Sequence, residues 1–235
     1  NGRYEIAMQE DGMFCLSAAP APTQPDGAYE VTVTKASAND GSIYGLMFAA
    51  DDRQNPTQFY VYWVDTLIDP NQPAFMFPRY AVQKYDNGVW TYLTVDDDEG
   101  DQWVDHATLN PGAGANVLRV RRLGDEIRLY ANGVLVDLIV DNSFAGNGFT
   151  GLINWSARSA NSTARFDDFR IDRFQTVYAD DYNRDDSGWF VDSDNVCQAA
   201  YINGLYRTAT RPNYICVFSA PSSGQANGLF EVQVN

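Results

Sequence analysis

NVLRVRRLGDEIRLYANGVLVDLIV, Asn116 to Val140, is the stretch that decides the fold. Leu118, Val120 and Arg122 alternate with Val117, Arg119 and Arg121. That period of two sends successive side chains to opposite faces of an extended strand. Gly124-Asp125 and Asn132-Gly133 divide the run into Asn116–Leu123, Glu126–Ala131 and Val134–Val140. Asn-Gly accepts the positive φ that tight hairpin turns require. The stretch therefore predicts a three-stranded antiparallel meander.

The same signals continue upstream and downstream. QFYVYWV, residues 58–64, is aromatic and β-branched after its Gln, the composition of a strand. SIYGLMFAA, residues 42–50, is apolar nearly throughout and suits a central strand buried on both faces. Residues 80–85 and 89–95 flank Asp86-Asn87-Gly88, a hairpin turn by composition. Residues 3–8, 13–18, 148–156 and 163–174 read as further strands, and Tyr29, Val31 and Val33 alternate with Glu30, Thr32 and Thr34. No segment has a convincing helical period. Some dozen strands at this spacing predict an all-β antiparallel sandwich.

The chain also repeats itself. NGRYEIAMQEDGMFCLSAAP at residues 1–20 returns as NGLYRTATRPNYICVFSAP at residues 203–221. Asn1-Gly2, Tyr4, Cys15 and Ala19-Pro20 match Asn203-Gly204, Tyr206, Cys216 and Ala220-Pro221. Gly27, Glu30, Val31 and Val33 then match Gly228, Glu231, Val232 and Val234. The offset is 202 at first and 201 after a one-residue slip. The expected organisation is a repeat of about 200 residues. Residues 1–175 form a sandwich lacking its opening strands, and 176–235 form the opening strands of the next copy. The polar, acidic run from Gln175 to Asp186 marks the boundary. A sandwich short of strands would leave an apolar edge for another copy to fill.

Acidic residues outnumber basic ones by 31 to 16, a net charge of -15. That balance argues against nucleic acid or an anionic membrane as partner and suits cation binding or an acidic extracellular surface. No run of 18 apolar residues occurs. Three cysteines fit the repeat: Cys197 with Cys216, and Cys15 with a partner in another copy. One disulfide per repeat implies an oxidising, extracellular or cell-surface setting. The alternative is three buried free thiols.

YGLMFAADD (44–52), QFYVYWV (58–64), YAVQKYDNGVW (80–90), the meander, GFTGLINWS (148–156) and ARFDDFRID (164–172) together resemble the concanavalin A-like, or laminin-G-like, jelly roll of bacterial extracellular tandem-repeat proteins. DDYNRDDSGWF, residues 180–190, is similar to the opening of the same module. The resemblance implies two antiparallel sheets packed face to face. It does not choose a ligand, because this fold carries lectins, hydrolases, adhesion modules and spacers. Glycosidases of the family place a Glu-x-Asp-x-Glu motif on one strand, and none occurs in this sequence. Asp65 and Asp69 are the alternative carboxylate pair, and the single histidine, His106, lies in an acidic loop. No catalytic residue is assigned.

Three kinds of site remain. Calcium needs six to eight oxygen ligands. The candidates are Asp96, Asp98 and Asp101, with Asp97, Glu99 and Asp105 beside them, and Asp180, Asp181, Asp185 and Asp186. Asp167-Asp168 is a third acidic spot. A polysaccharide needs aromatic platforms, for which Tyr60, Tyr62, Trp63, Trp90 and Trp103 are the candidates. Alternation sets Tyr60, Tyr62 and Val64 on one face of their strand and Phe59, Val61 and Trp63 on the other. One set is core, and the other lines a ligand surface or a partner interface. Asn154 and Asn161 head N-glycosylation sequons. The first expectation for function is a non-catalytic repeating unit of a fibre or adhesin, whose copies assemble head to tail by shared strands. The second is a carbohydrate-binding, lectin-like module.

Overall fold

The computed structural model describes residues 3–20, 25–38, 40–67, 77–95, 102–157 and 162–173 in full, and the backbone of strands at 192–193, 197–202 and 205–210. The chain divides into two compact units, Asn1–Arg173 and Phe174–Asn235.

The first unit is two antiparallel sheets. Its strands in chain order are β1 (Tyr4–Ala7), β2 (Phe14–Ala18), β3 (Gly27–Lys35), β4 (Ser42–Ala50), β5 (Gln58–Asp65), β6 (Arg79–Asp86), β7 (Val89–Tyr92), β8 (Val104–Asp105), β9 (Asn116–Leu123), β10 (Glu126–Ala131), β11 (Val134–Val140), β12 (Phe149–Ser156) and β13 (Thr163–Arg173). One sheet has the order β1-β13-β3-β9-β10-β11. The other runs β2-β12-β4-β5-β6-β7, with β8 also paired to β6. The described residues contain no helix. In the second unit β14 (Asp192–Ser193), β15 (Cys197–Ile202) and β16 (Leu205–Thr210) form a three-stranded antiparallel sheet.

The meander forms as its alternation requires. On β9 Leu118 and Val120 are fully buried between the sheets, while Val117, Arg119 and Arg121 face outward. Asn132 and Gly133 turn between β10 and β11 with φ of 50° and 83°, which explains the Asn-Gly pair. Tyr29, Val31, Val33, Leu46, Phe48, Ile127, Leu129 and Phe166 complete the core with Tyr60, Tyr62 and Val64. β4 is buried along its whole length.

Arg122 shares the buried face of Leu118 and Val120 and is fully buried. Its guanidinium donates to the carbonyls of Phe144 (2.8 Å), Asn147 (3.0 Å) and Pro25 (3.4 Å). It also lies 5.9 Å from the centre of the Tyr60 ring. This one side chain therefore ties the β11–β12 connection to the loop before β3. Beside it, the Tyr60 hydroxyl donates to Asp141, which also accepts from Lys84 Nζ at 3.1 Å and the Ser143 amide at 2.8 Å.

The expected apolar gap is absent from the described residues. Ile6 and Met8, 4% and 8% exposed, close the core beside β13. Asn154 on β12 donates to the Ile6 carbonyl at 2.9 Å, and Tyr4 donates to Ser17 of β2 at 2.8 Å. Among the described residues β1 pairs with β13 alone, which leaves one of its backbone edges open.

Candidate functional site

The outer face of the seven-stranded sheet carries a second apolar cluster. Strand alternation builds it: β5 turns Phe59, Val61 and Trp63 outward, β4 turns Ile43 and Met47, and β12 turns Ile153. Tyr85, Trp90, Trp103, Phe149 and Trp155 pack on these as half-buried side chains. The rings form a continuous tract. Trp63 lies 6.2 Å from Trp90 and 6.1 Å from Trp155, between ring centres. Trp90 then meets Tyr85 at 4.8 Å and the exposed Phe14 of β2 at 5.7 Å, the latter edge to face. Distances near 5–6 Å with tilted or perpendicular planes are the preferred geometry of aromatic pairs.

The strands beneath this tract pack closely at Gly45. Gly45 on β4 stands opposite both Trp63 and Ile153. A Cβ at Gly45 would lie 2.3 Å from the Tyr62 carbonyl oxygen.

Two polar features belong to the same face. The Trp63 indole N–H, at the floor of the tract, is buried and has no acceptor among the described residues. At one end Arg79 lies over the Trp103 ring at 5.1 Å and pairs with Asp65 at 3.2 Å. An arginine over an indole face is an attractive pairing. Apolar rings with few convergent polar groups make up the usual composition of a small-ligand site.

The structure sorts the sequence candidates. Trp63, Trp90 and Trp103 come together on this face, and Trp155, Tyr85 and Phe14 join them. Tyr60 and Tyr62 do not: both are fully buried between the sheets, so they are core and not ligand or interface aromatics. Burial raises both hydroxyls, far above the usual range for Tyr62. Asp65 is 1% exposed and held by Arg79, and Asp69 lies outside the described residues. His106 is half-buried, its Nδ1 2.8 Å from Thr108 Oγ1.

Asn154 is fully buried with its amide bonded to Ile6, which closes it to glycosylation in the folded chain. Asn161 lies outside the described residues. So do Asp96, Asp98, Asp101, Asp180, Asp181, Asp185 and Asp186. Among the described residues no group of three His, Cys, Asp or Glu could hold a metal ion. Asp167 instead faces Arg3 at 3.7 Å. Cys15 is an exposed free thiol. Cys216 and the side chain of Cys197 lie outside the described residues.

The outer face of the six-stranded sheet differs in kind. A groove of about 400 Å³ lies there, lined by Glu30, Arg119, Arg121, Tyr130 and Asn132. Glu30 bridges Arg119 (3.6 Å) and Arg170 (3.5 Å), and Asp172 bridges the same two arginines (3.9 and 3.1 Å). This is a charge-balanced surface ladder.

No family model matches the chain, and no curated protein matches it. Many solved structures share its fold. A carbohydrate-binding module, CBM66, from Bacillus subtilis is 19% identical with a TM-score of 0.50, covering 69% of this chain and 83% of its own. A β-glucanase of Bacillus licheniformis is 12% identical with a TM-score of 0.46, over 74% and 79% of the two chains. A tetrameric galectin from the ball sponge Cinachyrella is 13% identical with a TM-score of 0.45, over 67% and 99%. At such identities the likeness concerns the fold alone. The first unit is an all-β antiparallel sandwich of the concanavalin A-like jelly-roll type.

Proposed function

We propose that this chain is a non-catalytic, extracellular or cell-surface carbohydrate-binding module, and that the outer face of its seven-stranded sheet is the binding surface. The observation that carries the reading is the aromatic tract Phe14–Trp90–Trp63–Trp155 on one sheet face, with a buried indole donor that has no acceptor among the described residues. Sugar rings present apolar C–H faces and a rim of hydroxyls. The half-buried indoles of Trp90, Trp103 and Trp155 match the faces, and Gln83, half-buried on β6 and turned outward because its neighbour Val82 is core, is a polar group that can meet hydroxyls. Affinity electrophoresis of the full chain through gels containing soluble plant, bacterial and mucin polysaccharides tests this. Retardation by at least one polysaccharide, abolished in Trp90→Ala and Trp155→Ala variants that keep their circular dichroism, is the expected result. Unretarded migration in every gel, or retardation that both variants retain, overturns it.

A second reading, a head-to-tail repeating unit of a fibre or adhesin, is favoured by a different observation. At the repeat offset of 202 the strand β16, Leu205–Thr210, falls on residues 3–8 and so coincides with β1, Tyr4–Ala7. Both readings fit one protein whose modules bind glycan along an array. Electron microscopy of the full-length protein tests the second: elongated particles support it, and uniform compact ones refute it.

A further inference from the structure

Among the described residues β1 is an edge strand with one open side. It pairs with β13 through Tyr4↔Phe166, Glu5↔Arg165, Ile6↔Ala164 and Ala7↔Thr163. The Met8 amide donates to the Ser162 carbonyl at 2.8 Å, which fixes the hydrogen-bonding parity. In an antiparallel ladder N–H and C=O groups turn to one neighbour at alternate residues. Tyr4, Ile6 and Met8 therefore bond toward β13, and Glu5 and Ala7 present their backbone groups to the open side.

The second unit shows what its equivalent strand does with that side. β16 pairs with β15 through Ile202↔Leu205, Ala200↔Arg207 and Gln198↔Ala209. The pair closing a two-residue connection exchanges both backbone bonds. Leu205, Arg207 and Ala209 therefore turn toward β15. At the offset of 202 these are the equivalents of Arg3, Glu5 and Ala7. The side that β16 gives to β15 is the side that β1 leaves open, and the parity agrees without adjustment.

We propose that the open edge of β1 receives the strand Cys197–Ile202 of a second copy, antiparallel, with Ala200 opposite Glu5 and Tyr201 opposite Tyr4. The inference rests on the repeating-unit reading and adds its junction. Side-chain chemistry supports this occupant over the alternative exchange, in which β16 of a second copy displaces β1 from β13. In that exchange Arg207 would take the place of Glu5, which binds Arg165 at 2.7 Å, setting like charges opposite each other. Thr208 would replace Ile6, 4% exposed in the core. Receiving β15 meets neither obstacle; β15 gives up its ladder with its own β16 and regains the same register on β1. Ala199 falls opposite Ile6 and position 197 opposite Met8, on the core-facing side. Cys15 stands on that side too: its neighbours Leu16 and Ala18 pack on the outer cluster, while Ser17 faces Tyr4. Main-chain pairing along an open edge is a recurrent mode of association.

The test uses full chains with Cys15, Cys197 and Cys216 replaced by serine. One preparation carries Tyr4→Cys and the other Tyr201→Cys, and the two are mixed and oxidised. A heterodimer linked through residues 4 and 201, at least tenfold more abundant than with Arg3→Cys in place of Tyr4→Cys, is expected. Ala7→Pro should abolish it, because that amide points to the open side and the β13 ladder does not use it. The parent chain's mass by light scattering completes the test. A chain that self-associates without the 4–201 link overturns strand addition but leaves the repeating-unit reading standing. A chain monomeric at all concentrations overturns both. A 4–201 disulfide that forms only within one chain carrying both cysteines overturns exchange between copies.

Discussion

Replacing Arg122 by Met sets two large effects against each other. The guanidinium is fully buried and donates to the carbonyls of Phe144, Asn147 and Pro25; no ion pair among the described residues includes it. Burying an unpaired charge costs several kcal/mol, and Met would remove that cost while filling similar volume. Against this, Met leaves the Phe144 and Asn147 carbonyls without donors, at about 1–3 kcal/mol each. It also forfeits the cation–π contact with the Tyr60 ring, about 0.5–2 kcal/mol. The two shorter donor bonds, to Phe144 and Asn147, are charge-assisted, so the loss should win by about 3 kcal/mol. For a unit of this size that corresponds to a fall in Tm of roughly 6–12 °C. Arg122→Lys should cost a similar amount, since one ammonium does not reproduce the fork that spans two carbonyls. Thermal unfolding followed by circular dichroism measures both. An Arg122→Met chain as stable as the parent would refute the reasoning and show that the charge is the dominant cost.

Three further outcomes follow from the same packing. Burial would raise the Asp141 carboxyl, but hydrogen bonds from Tyr60, Ser143 and Lys84 outweigh it and hold the pKa at about 2, against 3.8 ordinarily. Because the folded value is depressed, the stabilisation is complete above about pH 5 and is lost as pH falls toward 2. It amounts to about 1–2 kcal/mol after allowance for partial exposure, and urea melts of the parent and Asp141→Asn should converge from pH 5 to pH 2. Gly45→Ala forces a Cβ to 2.3 Å from the Tyr62 carbonyl oxygen in a central strand; it should cost about 3 kcal/mol or more, read as lost soluble yield or a Tm drop above 6 °C. Cys15 is exposed, so a maleimide should label it in the native chain as fast as in urea, whereas a protected thiol would mean that β2 is covered in solution.

Most strands were legible because turn dipeptides and two-residue alternation coincide, as at Asn132-Gly133 between β10 and β11. The faces were harder. QFYVYWV has no polar side, so alternation separates Tyr60 and Tyr62 from Phe59 and Trp63 without saying which set is core. The answer depends on which sheet lies opposite, a non-local fact. The sequon at Asn154 misled for a related reason: the motif is local, but the inward direction of that side chain is set by pairing with Cys15 and Tyr44. Arg122 was visible on the face of Leu118 and Val120, yet its carbonyl partners at Pro25, Phe144 and Asn147 lie far off in sequence. Trp155 and Phe14 belong to the aromatic tract only through the pairings β2–β12 and β12–β4, which no spacing reveals.

Four of the five tryptophans, Trp63, Trp90, Trp103 and Trp155, lie on the proposed binding face. Their fluorescence therefore reports its occupancy directly. Titrating the full chain with a polysaccharide that retards it should give a saturable change in emission, lost in Trp90→Ala and Trp155→Ala. A polysaccharide that binds with no change in tryptophan emission would contradict the assignment of this face.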